Sequence, residues 1–245
     1  LVCVGNAEIR FSEDYLRIMR LVRFSAQLEF EIESKTNDAA YKYRSKINQI
    51  SGERIWTELL KIDKSAAWNF AFKQELFLAL LEEIFEIRDI YKKNNFSVKA
   101  PIFLIIYWLK PDFDFSEILK RRLKISNREL KTYHAIQFIM RNLNKLSEEQ
   151  WAYELEKSPH YVEQVDILTE ADVVPAALNQ RIKNIIKIFG EPLIAAREIV
   201  GLVPNEFISE ELKFLRINQF RKVYRTKDDA FVYLKQKYEN KSKKT

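Results

Sequence analysis

Near the start of the chain an acidic pair, Glu13-Asp14, is followed by Arg17 and then by Arg20 and Arg23. The string Ser12 to Phe24, SEDYLRIMRLVRF, reads as an amphipathic helix opened behind a Ser N-cap. Residues three apart on a helix are surface neighbours, so Asp14 and Arg17 are expected to present a carboxylate and a guanidinium side by side. Adenine and cytosine each offer an exocyclic amine donor beside a ring-nitrogen acceptor, whereas guanine and uracil set a carbonyl oxygen beside an N–H. A carboxylate only accepts and an Arg only donates. Asp14 would take the amine proton while Arg17 donates to the ring nitrogen, which suits A and C and opposes G and U. A good bidentate reading is worth about 1–3 kcal/mol per base, and the wrong base leaves buried charges unpaired. Spacing alone equally describes a surface ion pair with an acidic helix start that suits the dipole. The surrounding string separates the two.

That string, VGNAEIRFSEDYLRIMRLVRFSAQLEFEIESKT from Val4, resembles the neck of the bacterial-type (class II) tRNA nucleotidyltransferases, the CCA-adding enzymes, and of the related bacterial poly(A) polymerases. It carries the family's Glu-Asp-x-x-Arg motif within a Val-Gly-Asn-x-Glu lead-in and an Arg-Phe-ended helix. Ile50 to Ile62, ISGERIWTELLKI, resembles the second neck motif at the family's separation, and its GERIW favours the CCA-adding enzymes. The resemblance implies base selection by Asp14 and Arg17, with Glu13 bracing the helix start. Arg20 and Arg23 would orient that pair or contact phosphate. Glu53 and Arg54 would hold the neck helices in register. Beyond residue 62 the likeness thins to helical character and a tail-like patch, Pro192 to Leu234. There the usual Ser-Gly-Lys-Asp-Leu is replaced by Ala195-Ala196-Arg197-Glu198-Ile199.

Family chemistry is phosphoryl transfer, with two metal ions on an Asp-x-Asp strand and a Gly-rich loop cradling the triphosphate. The four glycines, Gly5, Gly52, Gly190 and Gly201, are too scattered for such a loop. Asp112-Phe113-Asp114 follows Lys110-Pro111 and reads as turn and N-cap chemistry. The expectation is therefore a neck, body and tail without the catalytic head. Residues 1–11, which open on Leu, are read as the last strand and exit of that head. Mg²⁺ with CTP and ATP would belong to the complete enzyme, the metal held by the head, and tRNA would be the partner. The alternatives are a poly(A) polymerase of the same superfamily or a non-catalytic helical RNA-binding protein.

Low Gly and Pro with abundant Leu, Ile, Lys and Glu argue for an all-α chain. The domain reading is head remnant 1–11, neck 12–63, helical body 64–157 and basic helical tail 158–245, with seams at Pro111 to Phe115 and Lys157 to Pro159. A lone cysteine, Cys3, excludes an internal disulfide framework. His134 and His160 lack ligand spacing, and His160 is expected in a turn. The longest apolar run, Ile102 to Leu109, is far short of the roughly 20 residues of a membrane span. No secretory signal is visible. The expected compartment is the cytoplasm, with the mitochondrial matrix as the alternative. The chain's net charge is +6, yet residues 216–245 alone hold ten Lys+Arg against three Asp+Glu. Lys and Arg of this kind neutralise phosphates in a salt-dependent way, so Arg216, Arg221, Lys222, Arg225 and Lys235 are RNA-binding candidates.

The elements that must position these groups follow from periodicity and capping. The helices expected are Glu13 to about Leu28, Ser34 to Tyr43, one capped by Ser51, and one apolar helix from Ser65 to Leu81. A break at Lys92 to Ser97 precedes a buried helix, Pro101 to Leu109. Capping boxes Ser126/Glu129 and Ser147/Gln150 open two more. Others are expected at 160–168, 175–189, 193–201, 206–215 and, behind Thr226/Asp229, 227–239. Trp56, Trp68, Trp108 and Trp151 are expected in the core.

Overall fold

The computed structural model describes residues 1–62, 65–87 and 102–242. Among them the chain is all α, with no β-strand. It divides into two compact units: Leu1–Met140 with Glu170–Val173, and Arg141–Thr169 with Val174–Thr245. Pro111 to Phe115 falls inside the first and Lys157 to Pro159 inside the second. The break expected at Lys92 to Ser97 lies outside the described residues.

The first unit opens differently from expectation. Leu1 to Asn6 form no strand; the Glu33 N–H donates to the Leu1 carbonyl at 2.9 Å and the Cys3 N–H to Thr36 Oγ1 at 3.1 Å. Asn6, not Ser12, caps the first helix, α1 (Ala7–Glu13), its side chain accepting from the Ile9 N–H. The helix expected to run unbroken from Glu13 is interrupted: Asp14 is extended (φ −155°, ψ 106°), and α2 (Leu16–Leu28) starts afresh. The reason is local. Asp14 Oδ1 accepts from the Leu16 N–H at 3.1 Å, so the carboxylate caps the new helix rather than riding on the old one.

Four more helices complete the N-terminal half of this unit as described: α3 (Ser34–Lys42), α4 (Gly52–Leu60), α5 (Ser65–Ala71) and α6 (Glu75–Phe85). The single helix expected over Ser65 to Leu81 is two. A run apolar on every side fixes no period, and the chain turns at Phe72–Gln74, where the Phe72 and Gln74 N–H groups bond the Trp68 and Ala71 carbonyls at 2.9 Å. The turn brings Trp68, Phe72 and Phe77 together, with ring centroids 5.7–6.2 Å apart. Next come α7 (Ile102–Leu109), buried along all but its first residue, a π-turn at Ile118–Arg122, and α8 (Asn127–Asn142). Ser126 and Glu129 exchange the reciprocal capping bonds expected of them.

The second unit holds α9 (Glu148–Lys157), α10 (Pro159–Glu170), α11 (Ala176–Phe189), α12 (Ile208–Phe220) and α13 (Lys227–Ser242). Ser147 and Gln150 form their capping box. His160 lies in the first turn of α10, not in a loop, because Pro159 suits the first helical position. The helix expected at 193–201 shrinks to one 3-10 turn, Ala196–Glu198. Ile194, Ile199 and Val203 reach the core from turns instead, and Gly201 takes the left-handed φ of +87°. The four tryptophans are buried.

Candidate functional site

The break between α1 and α2 sets the geometry of the acidic–basic motif. Glu13 ends α1, Asp14 stands at the gap and Arg17 occupies the first turn of α2. Asp14 and Arg17 are each held by a different partner. Asp14 Oδ2 accepts from Arg54 Nη2 at 3.0 Å, which ties the gap to α4. Arg17 Nη1 donates to the Glu13 carboxylate and, at 2.7 Å, to the Arg10 carbonyl. Arg10 Nη1 also reaches Glu13 at 3.0 Å. The hydrogen bond from Arg17, helped by the charge of Arg10, holds the Glu13 carboxyl below the usual carboxylate range. Asp14 keeps 27% of its side chain exposed and Arg17 32%. Beside Arg17 and Arg20 lies a shallow cavity of about 260 Å³, walled by Val2, Phe11, Leu21 and Phe24; Asp14 is not in its lining.

Farther along α2, Arg20 and Arg23 turn to an acid the sequence reading passed over. Glu58, on α4, is buried to 3% side-chain exposure. Arg23 Nε donates to it at 2.7 Å, Lys61 Nζ at 2.9 Å, and Arg20 Nε stands 3.8 Å away. Burial pushes the Glu58 carboxyl up, but Lys61 and Arg23 together hold it below the ordinary value. Arg23 is only 12% exposed, also bonds Gln27, and lies over the Phe24 ring. It fastens α2 to α4. The signal was present: Glu58 sits three residues after Ile55 and four before Ile62, on the apolar stripe of α4.

The second motif contributes unequally. Arg54 reaches Asp14, whereas the side chain of Glu53 is exposed and has no partner among the described residues; the Glu53 carbonyl accepts from Thr57 Oγ1 at 2.7 Å. Trp56 Nε1 donates to Glu129 at 2.8 Å, joining α4 to the capping box of α8, and its ring stacks on Phe103. Gly52 was also passed over. A Cβ there would lie 1.8 Å from the Arg122 carbonyl oxygen. The Arg122 side chain closes the same contact by donating to the Ile50 and Ile47 carbonyls, each at 3.1 Å.

In the second unit the basic candidates separate. Arg216 is not available to RNA: it is 3% exposed and donates to the Glu156 carboxylate and to the Gly190 and Glu191 carbonyls. Its place between Leu212 and Phe220 on one helical stripe explains its burial. Arg221 is exposed, with Glu149 3.9 Å away. The side chains of Lys222, Arg225 and Lys235 are exposed and make no ion pair among the described residues. Lys227 and Lys237 are engaged by Glu198 and Glu211. Asp114 bonds Ser116 as a turn residue, and no group of three or more His, Cys, Asp or Glu among the described residues is placed to hold a metal. No helix of the described residues is long and apolar enough to cross a membrane.

With that geometry in view, the likeness to known proteins is informative. A family described as the probable RNA and SrmB-binding site of polymerase A matches residues 29–87, which include α3 to α6 but not Asp14 or Arg17. A CCA-adding enzyme of Lactobacillus helveticus is 37% identical over 127 residues, 48% of this chain and 32% of that protein. One of Bacillus cereus is 26% identical over 220 residues, 85% of this chain and 54% of that protein. The crystal structure of the Bacillus stearothermophilus CCA-adding enzyme in complex with CTP superposes with a TM-score of 0.65 at 19% identity, covering all of this chain and 67% of that one. The matches thus span between about a fifth and about half of the curated relatives' length. The chain is thus similar to CCA-adding enzymes, at 36–37% identity over about half of its length and at 26% over most of it, and it shares the fold of the solved one.

Proposed function

We propose that this chain is the RNA-binding and base-selecting part of an enzyme that builds CCA on tRNA 3′ ends from CTP and ATP. Asp14 and Arg17 read the incoming base. The observation that carries this reading is the separate bracing of the two groups. Arg54 fixes one Asp14 oxygen, and Glu13 with the Arg10 carbonyl fixes one Arg17 nitrogen. Arg17 Nε and Nη2 have no partner among the described residues. A donor and an acceptor held before the ligand arrives lose little freedom on binding it, and discrimination by hydrogen bonding requires that they stay charged and aimed. Arg23 acts on this pair indirectly, by fastening α2 through Glu58. The transfer step would draw its Mg²⁺ and its metal-binding carboxylates from a head domain outside these 245 residues. The neck, residues 12–63, would then meet the nucleotide, and the exposed cations Lys222, Arg225 and Lys235 would meet tRNA.

The test is Asp14→Ala in the complete enzyme. Discrimination against UTP and GTP should fall by about tenfold or more, the equivalent of losing roughly 1–3 kcal/mol of base reading, while tRNA affinity stays within about twofold. Equal loss of both would count against base reading.

A further inference from the structure

On α12, on α13 and in the turn between them three aromatic rings gather at the surface of the second unit. Phe214 and Tyr233 lie nearly parallel, 27° apart with centroids 5.1 Å apart, and Tyr224 leans on both, 6.5 Å from Phe214 and 5.6 Å from Tyr233. Phe214 nevertheless remains 42% exposed. A ring stacked on one face and still exposed to that degree turns its other face to solvent. Large exposed apolar groups are informative when they cluster, and Val223 and Val232 are exposed beside this one in sequence.

The cluster is built rigidly. Glu211, buried on α12, accepts from Lys237 Nζ, from Tyr238 Oη at 2.8 Å and from Tyr233 Oη at 3.3 Å. Three donors on one buried carboxylate fix the Tyr233 ring, and through it the Phe214 ring, without help from a ligand. Lys237 Nζ lies over the Phe214 ring, 5.8 Å from its centroid, as a distant cation–π neighbour. The Tyr224 hydroxyl has no hydrogen bond among the described residues, and Lys222 and Arg225 flank it with side chains in no ion pair. Three acids of this region are used internally, Glu211 by Lys237, Asp229 by the Arg225 and Thr226 N–H groups and Glu198 by Lys227, whereas Glu210 and Asp228 are exposed. What faces outward is therefore an aromatic surface with the unpaired cations Lys222, Arg225 and Lys235 near it in sequence, alongside the two exposed acids.

Every nucleobase has a π-face, and an aromatic ring among cations binds unpaired nucleotides with little regard to sequence. A paired base, stacked on both sides, cannot offer that face. We propose that the open face of Phe214 is a stacking site for one unpaired nucleotide of the bound RNA, with the adjoining phosphates on Lys222 and Arg225. The proposal rests on the reading of this chain as RNA-binding, and it adds a contact that depends on the base being unpaired. An acidic protein segment with an aromatic anchor is the competing occupant. The parallel ring geometry favours a flat partner.

The experiment compares the intact chain with Phe214→Ala, Phe214→Trp and a Lys222→Gln/Arg225→Gln pair. The probes are a 12-nucleotide oligo(A) and a 20-base-pair blunt RNA duplex. Phe214→Ala should weaken oligo(A) binding by about tenfold, the lower part of the range for losing one stacked base, and leave duplex binding and the salt slope unchanged. Phe214→Trp should bind oligo(A) at least as well as the parent, and its fluorescence should be quenched by the probe. The charge pair should weaken both probes and flatten the salt dependence. If Phe214→Ala binds oligo(A) like the parent while the charge pair does not, the stacking site is wrong and the tail contact stands. If neither variant weakens either probe, the tail contact itself is wrong. Loss of self-association in Phe214→Ala with unchanged RNA binding would overturn the proposal in favour of a protein occupant.

Discussion

Glu58 is the residue on which the neck's geometry leans most. An unpaired buried carboxylate costs far more than a neck of this size can spare, whereas one paired by Arg23 and Lys61, with Arg20 near, is tolerated. Its folded pKa lies below 4.5, so the unfolded chain binds its proton first as pH falls. The sign follows from linkage: the stability it contributes is full above pH 4.5 and is lost as pH drops through the lower folded value. Glu58→Gln should therefore be less stable than the parent at pH 7, and the gap should narrow below pH 4.5. Urea unfolding of both proteins from pH 7 to pH 3 reads this directly, and a gap independent of pH would mean that the carboxylate's charge is not what fastens α2. On the proposed base-reading role of Arg17, which lies on the same helix, discrimination should decline in this variant without loss of the Asp14 and Arg17 side chains.

At the scale of elements, the contact of α4 with the π-turn at Ile118–Arg122 shows a backbone constraint that no side-chain pattern reveals. Gly52→Ala would gain about 1 kcal/mol of helix propensity. It would also place a methyl group 1.8 Å from the Arg122 carbonyl oxygen, a backbone atom that cannot rotate away. Overpacking of this kind costs about 1–3 kcal/mol, and the second effect wins. Thermal unfolding should show a net loss, whereas Ser51→Ala, whose side chain makes no cap bond, should be nearly neutral. The comparison also shows what the sequence conveys. Helices with capping boxes, at Ser126 and Ser147, were legible because the bonds that start them are local. The turn at Phe72–Gln74 was not, because an all-apolar run leaves direction to tertiary packing. The gap at Asp14 was hidden for a related reason: the same carboxylate suits a helix's first turn and the cap before it. The motif residues were readable in type and spacing, but their partners, Arg54 for Asp14 and Glu58 for Arg23, come from α4, some 35 to 40 residues away.

Across the whole molecule the net charge of +6 resides in the last thirty residues, yet its placement differs from its count. Arg216, Lys227 and Lys237 are spent on Glu156, Glu198 and Glu211. The hydrogen bond to Glu211 raises the Lys237 ammonium's pKa further above its ordinary value, so it stays charged. Lys222, Arg225 and Lys235 are left exposed and in no ion pair among the described residues. The two groups should separate by experiment. Arg216→Gln leaves Glu156 and the Gly190 carbonyl without the Arg216 donor, and losing a hydrogen bond to a charged group costs about 1.5–3 kcal/mol. It should lower the melting temperature of the second unit and weaken RNA binding only through unfolding. Neutralising Lys222, Arg225 and Lys235 together should leave the melting temperature near the parent's. It should also reduce the slope of log affinity against log salt by about two for single-stranded RNA, from roughly 0.7 per phosphate contact. Titrations of one RNA at three salt concentrations, set beside melting curves, decide the matter. An unchanged slope in the triple variant would move the RNA contact away from α12 and α13. A changed slope in Arg216→Gln at full stability would show that its burial against Glu156 does not persist in solution.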